Sequence, residues 1–548
     1  MSKYCVIGAG AAGLSALDVL TSRGHQVDCF EKSDRVGGHW NTDYDALHLI
    51  TSRDMTNFEE FQMPSSYPHF PRRDQIRDYI HSYAAERGHD ARVHFSTEVV
   101  SVTPVETDGP VGSAGWMVTT SAGADAYDGV LVASGHLWDA KIPTVPGTFA
   151  GPQIHSSAYQ NTDDIHGRRV LVIGAGNSGC DLAVDAAQHR FEVDIVVRHG
   201  AYFQPKMYFG RPRQQVSFMS EFSPADQDLI ARLLARVSIG QNSDYPGLPV
   251  PTHDRLAEGP VVVNDLLLYW IHHGRVTVIG HGVSRFDGNT VHFTDGTAKD
   301  YDTILYATGF HSTLPFLEES LVPRRNGHPL RYAGGIVPKG LEKLYYVGLS
   351  APRGPQIPIY GVQTKIAERM IRLHEQAGPG GANLAGYFGR LQEADDRVDI
   401  PRDIWNAQIA DTERLLDAYM ASLQGDRVST RQPTRGDHRQ LSQTSTLHRQ
   451  HARPRPPMPI RKARASRQLK CSEITRSPVP RLEHGCSVSV VVAAGSLRPD
   501  SSLCSPAYVS GGDSRSSQSP GVRLIPHRRR RQPMRSARDT MIPSGPRT

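Results

Sequence analysis

Cysteine is scarce in this 548-residue chain, with six in all, at Cys5, Cys29, Cys180, Cys471, Cys486 and Cys504. No two of them form a C-x-x-C pair, which argues against a redox dithiol or a zinc site, and no metal is expected. Cys5 and Cys29 fall in predicted strands and read as small core residues. Long apolar runs are missing too; none approaches the ~20 residues that a membrane-spanning helix needs. The chain opens MSKYCVIGAG, so a strand signal begins almost at residue 1 and leaves no room for a secretory leader. The expected location is cytoplasmic. A large net charge is absent as well, at +5, but the balance is uneven. Residues 426–548 carry 24 Lys and Arg against 7 Asp and Glu, so everything before them is net acidic.

What is present is one pattern, used twice. Tyr4-Cys5-Val6-Ile7 is a short apolar run, read as a buried parallel strand. Gly8-Ala9-Gly10-Ala11-Ala12-Gly13 follows, then a helical pattern, then a second strand at 26–30 that ends on Glu31. In such a turn the first glycine (Gly8) allows the tight bend. The second (Gly10) lets a pyrophosphate reach the backbone, and the third (Gly13) lets helix and strand pack closely. Glu31 stands about 18 residues beyond Gly13, close to the interval at which an acid binds a ribose hydroxyl pair. The second copy is Val170-Leu171-Val172-Ile173 followed by Gly174-Ala175-Gly176-Asn177-Ser178-Gly179. Its next strand, 193–197, ends on Arg198 instead of an acid. A planar, permanent cation there suits a 2′-phosphate, so NADPH is expected in preference to NADH. Gly174, Gly176, Ser178, Gly179 and Arg198 are the candidate contacts.

Four further stretches surround these turns. Lys32 to Trp40 reads KSDRVGGHW, with Gly38 and Trp40 as candidate contacts. Phe149, Gly151, His155 and Tyr159 are spaced F-x-G-x-x-x-H-x-x-x-Y just ahead of the second turn. Residues 303–310 read TILYATGF, a strand ending at Gly309, and 344–363 read LYYVGLSAPRGPQIPIYGVQ, which includes Gly348 and Gln363. Together these stretches resemble the flavin-containing monooxygenase family of class B flavoprotein oxygenases over residues 1 to about 420.

The resemblance implies an α/β fold with two Rossmann-like dinucleotide-binding domains, the second inserted in the first. It makes FAD the ligand of the first turn, held by Gly8, Gly10, Gly13, Glu31, Gly38 and Trp40, with Gly348 and Gln363 near the flavin and Gly309 a further cofactor-binding residue. It implies reduction by NADPH, then transfer of one atom of O2 to a sulfide, amine or carbonyl compound through a flavin C(4a)-hydroperoxide. His155 and Tyr159 become the candidates for the catalytic machinery, coupling the two domains and not transferring protons. The chain departs from the family pattern at one place. Where many amine-oxidising members carry Asn in the segment crossing the flavin, Ile50 or Thr51 stands here.

The expected domains are 1–160 for FAD, 161–299 for NADPH, 300–424 for the rest of the FAD domain with C-terminal helices, and 425–548 as a disordered basic tail. A hairpin is expected over 93–119, a helix near 225–237, and an irregular insertion over 201–260. His272-His273 reads as packing, not metal ligation. The tail's HRRRRQ, 527–532, could meet nucleic acid or an anionic surface, but a solvated segment with no binding role is the favoured reading and no specific nucleic-acid partner is expected. An extended reading frame would give the same composition. A small-molecule substrate and O2 are the expected partners, and a homo-oligomer stays open. Two other functions fit part of the pattern: a pyridine-nucleotide flavin reductase or oxidase without oxygenation, and a non-catalytic nucleotide-binding protein.

Overall fold

The computed structural model describes residues 2–378 and 381–429. The elements that position the sites are, in chain order, β1 (Lys3–Ile7), α1 (Ala11–Ser22), β2 (Gln26–Phe30), β3 (Val93–His94), β4 (Gly129–Val132), β5 (Gln153–His155), β6 (Arg169–Ile173), α2 (Asn177–Gln188), β7 (Glu192–Val196), β8 (Val276–Ile279), β9 (Thr303–Tyr306), β10 (Leu344–Tyr346) and α3 (Gln356–Ala377).

Two five-stranded parallel sheets organise them, ordered β10-β4-β1-β2-β3 and β5-β9-β6-β7-β8. Each central strand is apolar on both sides because both faces are covered. In the first sheet Val6, Leu131 and Tyr345 pack against α1 and α3, while Cys5, Ile7, Val130 and Tyr346 face Val102, Trp116 and Val118 of an antiparallel layer. That layer has three strands, Val99–Pro104, Trp116–Thr120 and Gly123–Tyr127. In the second sheet Val170, Val172 and Ile195 pack against α2, while Leu171, Ile173 and Val196 face a four-stranded layer that includes Gly147–Phe149 and Val283–Gly288. The two halves share one plan, helices on one face and an antiparallel layer on the other. Successive side chains point to opposite faces of a strand, so every residue of these short runs is used.

Three expectations are corrected. The strand at 303–306 does not return the chain to the first sheet; it lies in the second, where Val170 pairs with Thr303 and Ile173 with Tyr306. Residues 153–155 join the same sheet on its far side. An enclosed strand such as β9 fits the centre of either sheet, and its pairing with β6 on one edge and β5 on the other decides between them. The boundaries expected at 160 and 300 therefore move, and β10 makes the return by pairing with β4. The hairpin expected over 93–119 starts at Val99, since Val93–His94 instead pairs in parallel with β2. Finally, the last described helix, Arg402–Ser429, continues past residue 425, where the tail was expected to begin. Expectations for the rest of the tail lie outside the described residues. The helix near 225–237 spans Pro224–Ile239. His272 stacks on Tyr245 with ring centroids 4.2 Å apart and His273 on Tyr269 at 4.0 Å, which is packing.

Candidate cofactor and active site

The three glycines of each turn do different work, and the geometry separates them. Gly8 has a φ of 97°, and a Cβ there would lie 2.8 Å from the Ala133 carbonyl oxygen. At Gly13 a Cβ would lie 1.8 Å from the Gly8 oxygen, so helix and strand touch backbone to backbone. Gly10 is different: it has ordinary extended backbone, and its nearest neighbour across the gap is the Gly38 Cα, 3.7 Å from a Cβ. Gly10 also caps α1 with no side chain to satisfy the helix N–H groups. The space in front of it is thus walled by two glycines and by free donors at the positive end of a helix, which is what a pyrophosphate requires. Beside it, the buried Glu31 carboxylate accepts from the Ala9 N–H at 2.7 Å and from the Ser33 N–H at 2.9 Å. The register Ile7 to Phe30 sets Glu31 next to the turn. Trp40 is half-buried in a short turn, Gly38–Asn41, against His39.

The second turn repeats this. A Cβ at Gly174 would lie 2.3 Å from the Ala307 oxygen, and one at Gly179 would lie 2.0 Å from the Gly174 oxygen. Gly176 caps α2 without a side chain and has nothing within 4 Å of a Cβ. Ser178 lies half-buried in the first turn of α2. Ile173 pairs with Val196 as Ile7 pairs with Phe30, so buried Val197 takes the position of Glu31 and Arg198 follows it by one residue. Arg198 is exposed, its Cδ lies beside Gly282, and no carboxylate among the described residues pairs with it.

The residues of the F-x-G-x-x-x-H-x-x-x-Y stretch wrap the second sheet. Phe149 packs on Phe286, and Gly151 lies against the Asp302 backbone. The Gly309 carbonyl accepts from the Lys141 N–H at 2.9 Å and from His155 Nε2 at 3.1 Å. His155 Nδ1 therefore accepts, from the Ser157 N–H at 3.2 Å and its hydroxyl at 2.9 Å. Burial lowers the His155 pKa and keeps the ring neutral. The buried Tyr159 hydroxyl donates to Asp185 at 2.7 Å, and burial with that acceptor raises its pKa far above the usual phenol value. Both side chains hold structure, and neither presents a free proton-transfer atom.

The structure brings out three features here. Ala133-Ser134-Gly135-His136 closes β4 as Ala307-Thr308-Gly309-Phe310 closes β9; each alanine carbonyl bears on the first glycine of its turn. The signal was the repeat A-S/T-G at two strand ends. His136 Nδ1 meets the Gly348 carbonyl oxygen at 3.0 Å, and burial pushes its pKa down to about 4. Gln363 is fully buried; its Oε1 accepts from the Gly348 N–H at 2.9 Å, while Nε2 has no protein partner. In the segment expected to cross the flavin, Thr51 is buried and bonded to Thr56 at 2.8 Å. The nearby Asn57 amide is committed to Met63 and Gln62, so it does not supply the absent asparagine.

The third feature joins that segment to the second unit. Tyr44 donates to Asp181 of α2 at 3.1 Å, and Asn264 donates to the other oxygen at 2.8 Å. A cavity of about 230 Å³ lies here, lined by His48, Asp181, Lys206, Asn264 and Asp265 among others, with Lys206 bonded to His48. Burial raises the Asp181 pKa from its ordinary 3.8 to about 6. The folded state then binds this proton more tightly than the unfolded chain, so Asp181 lowers stability as pH rises from about 4 to 6. Asp181→Asn is expected to remove that cost, on the order of 2–3 kcal/mol at neutral pH before the loss of one accepted hydrogen bond. Urea unfolding at pH 4.5 and 7.5 checks it: wild type should lose stability between the two relative to the variant, and parallel curves would contradict the assignment.

An open α/β architecture with two glycine turns, each with a clear approach to its middle glycine, defines a two-dinucleotide enzyme. Comparison with known proteins sharpens this. The flavin-binding monooxygenase-like family model matches residues 1–382. Flavin-containing monooxygenase 5 of Oryctolagus cuniculus is 30% identical over 455 residues, covering 78% of this chain and 81% of the relative. Flavin-containing monooxygenase 3 of Rattus norvegicus is 31% identical over 401 residues, covering 68% and 74%. Among solved structures, an oxidized steroid monooxygenase bound to NADP shares the fold, with a TM-score of 0.59 at 18% identity over 77% of this chain and 98% of that one. The chain belongs to the flavin-binding monooxygenase-like family. It is an FAD- and NADPH-dependent monooxygenase that uses O2 on a small-molecule substrate. No helix among the described residues is long and apolar enough to cross a membrane.

Proposed function

We propose that FAD occupies the Gly8–Gly13 turn and NADPH the Gly174–Gly179 turn, and that the enzyme oxygenates a sulfide, an amine or a carbonyl compound. The observation that carries the assignment is the pair of residues beside the turns, Glu31 for the hydroxyls of a ribose and Arg198 for a ribose that bears a phosphate. The FAD domain is then built on the first sheet and the NADPH domain on the second, with β5 and β9 in the latter. FAD reduced by NADPH supplies the activation of oxygen; the chain positions the two cofactors and keeps water from them. Gln363 is read as a flavin-side residue, while Gly309 follows β9 of the second sheet, next to the turn proposed for NADPH. Gln363 Nε2, buried without a protein partner, fits a polar edge of the flavin. His155 fixes the Gly309 turn through its Nε2 bond. The three described cysteines are free and buried, which suits a cytoplasmic enzyme.

A panel of sulfides, amines and ketones under labelled oxygen tests the activity. The expected product carries one labelled atom per NADPH consumed. NADPH consumption that yields hydrogen peroxide alone with every member of the panel would favour the oxidase or reductase reading. His155→Ala is expected to retain FAD but to raise the fraction of NADPH lost as peroxide several-fold, measured by peroxidase-coupled assay. Unchanged coupling would remove His155 from the positioning of the site.

A further inference from the structure

The anionic groups of both cofactors have their donors: the α1 terminus for one pyrophosphate, the α2 terminus for the other, and Arg198 for a 2′-phosphate. One more cation stands apart from all of these. Met207–Tyr208 and Arg211–Pro212 form a small hairpin, closed by the Arg213 N–H donating to the Lys206 carbonyl at 2.9 Å. A short turn, Arg213–Gln215, follows it. The Arg213 side chain is half-buried, its Nε is fully enclosed with no hydrogen-bond partner, and no carboxylate among the described residues pairs with it. Its charged neighbour is another cation, Arg353. Arg353 is fully engaged, by Asp399 at 2.8 Å and by the carbonyls of Leu256 at 2.6 Å and Gly259 at 2.8 Å. Burial and this like charge both push the Arg213 pKa below its ordinary value, so the surroundings disfavour a bare cation.

Arg213 is not alone in lacking partners. Both amide atoms of Gln214 are buried without hydrogen bonds, and so is Gln356 Oε1, three residues beyond Arg353. The turn is fastened to the segment that the family resemblance lays across the flavin: Gln215 Nε2 donates to Ser52 Oγ at 2.9 Å and reaches Asp54 at 3.3 Å. An enclosed guanidinium Nε with no counter-ion, on the residue preceding an amide that also lacks partners, is costly unless a ligand completes it. Guanidinium geometry selects the ligand, since its parallel N–H groups match the two oxygens of a carboxylate.

We propose that Arg213, with Gln214, binds a carboxylate of the substrate, so that the molecule oxygenated is an anionic one: a sulfide, amine or ketone that carries a carboxylate group. The inference rests on the flavin lying at the first turn, and it makes Arg213 a specificity-determining residue remote from both glycine turns in sequence.

The test is calorimetric titration of the FAD-loaded protein at pH 7.5 with 3-(methylthio)propionate and with its neutral amide. Wild type is expected to bind the acid at least tenfold more tightly than the amide. Arg213→Gln should bring the two dissociation constants together, and Arg213→Lys should keep part of the difference, since it retains the charge without the fork. FAD content and melting temperature verify the fold of each variant. Equal affinities in wild type, or an acid preference that survives in Arg213→Gln, would overturn the proposal. So would an unchanged acid-to-amide ratio joined to a raised half-saturation for NADPH in anaerobic flavin reduction, because that result assigns the cation to the nucleotide. Oxygenation of thioanisole, which has no carboxylate, is measured separately. Its absence would count against the monooxygenase activity while leaving the binding ratio to judge Arg213.

Discussion

Gly10→Val yields a folded protein without colour. The backbone at Gly10 is extended, which any residue adopts, and a Cβ there meets only the Gly38 Cα at 3.7 Å, an ordinary contact. Nothing in the protein itself demands glycine at this position. What a side chain would remove is the free space in front of the α1 terminus, where a pyrophosphate must touch backbone. Gly10→Ala serves as the milder companion, with FAD occupancy reduced and melting close to wild type. Gly13→Ala should do the opposite. Its Cβ would fall 1.8 Å from the Gly8 oxygen, so strand and helix must separate, at a cost of about 3 kcal/mol or more. Absorbance near 450 nm per chain and thermal melting together separate the two effects. Full flavin occupancy in Gly10→Val would show that the first turn does not hold FAD.

Arg198→Ala weakens NADPH at least tenfold and leaves NADH nearly unchanged. A hydrogen bond between charged groups contributes roughly 1.5–3 kcal/mol, which corresponds to about 10- to 150-fold in affinity. Arg198 can deliver that much because it is exposed, pairs with no carboxylate among the described residues, and follows β7 where the strand register places it beside the second turn. The first unit supplies the contrast, since its second strand ends on Glu31, an acid, where the second unit has Val197 followed by Arg198. Anaerobic flavin reduction by each nucleotide measures the ratio. Equal losses for NADPH and NADH would mean that Arg198 does not read the phosphate.

The parts of this architecture that could be read in advance are local ones. A buried parallel strand, a glycine turn and a helix occupy about fifteen consecutive residues; the first glycine also meets Ala133 or Ala307 from a distant strand, while the second and third are dictated by the ligand and by contacts within that span. Gly13 against Gly8 and Gly179 against Gly174 are such contacts. The sheet to which 303–306 belongs was not legible, because an all-apolar strand fits the centre of either parallel sheet equally well. Only the pairing with Val170 to Ile173 decides it. The roles of His155 and Tyr159 were half legible: the spacing marked them, but their partners Gly309 and Asp185 lie 154 and 26 residues away.

Strand periodicity and glycine spacing thus determine two nucleotide turns, their order, and the sign of the charge beside each, since all of these follow from short-range backbone geometry. The anion-binding capacity of Arg213 is a tertiary property. An arginine in an irregular stretch resembles any solvated arginine until the fold encloses its Nε, sets Arg353 nearby and withholds every carboxylate among the described residues. The same holds for Asp181, whose pKa is raised by burial and only partly offset by hydrogen bonds from Tyr44 and Asn264, residues 137 positions before it and 83 after it. Desolvation depends on what surrounds a group in space, and no periodicity along the chain encodes it.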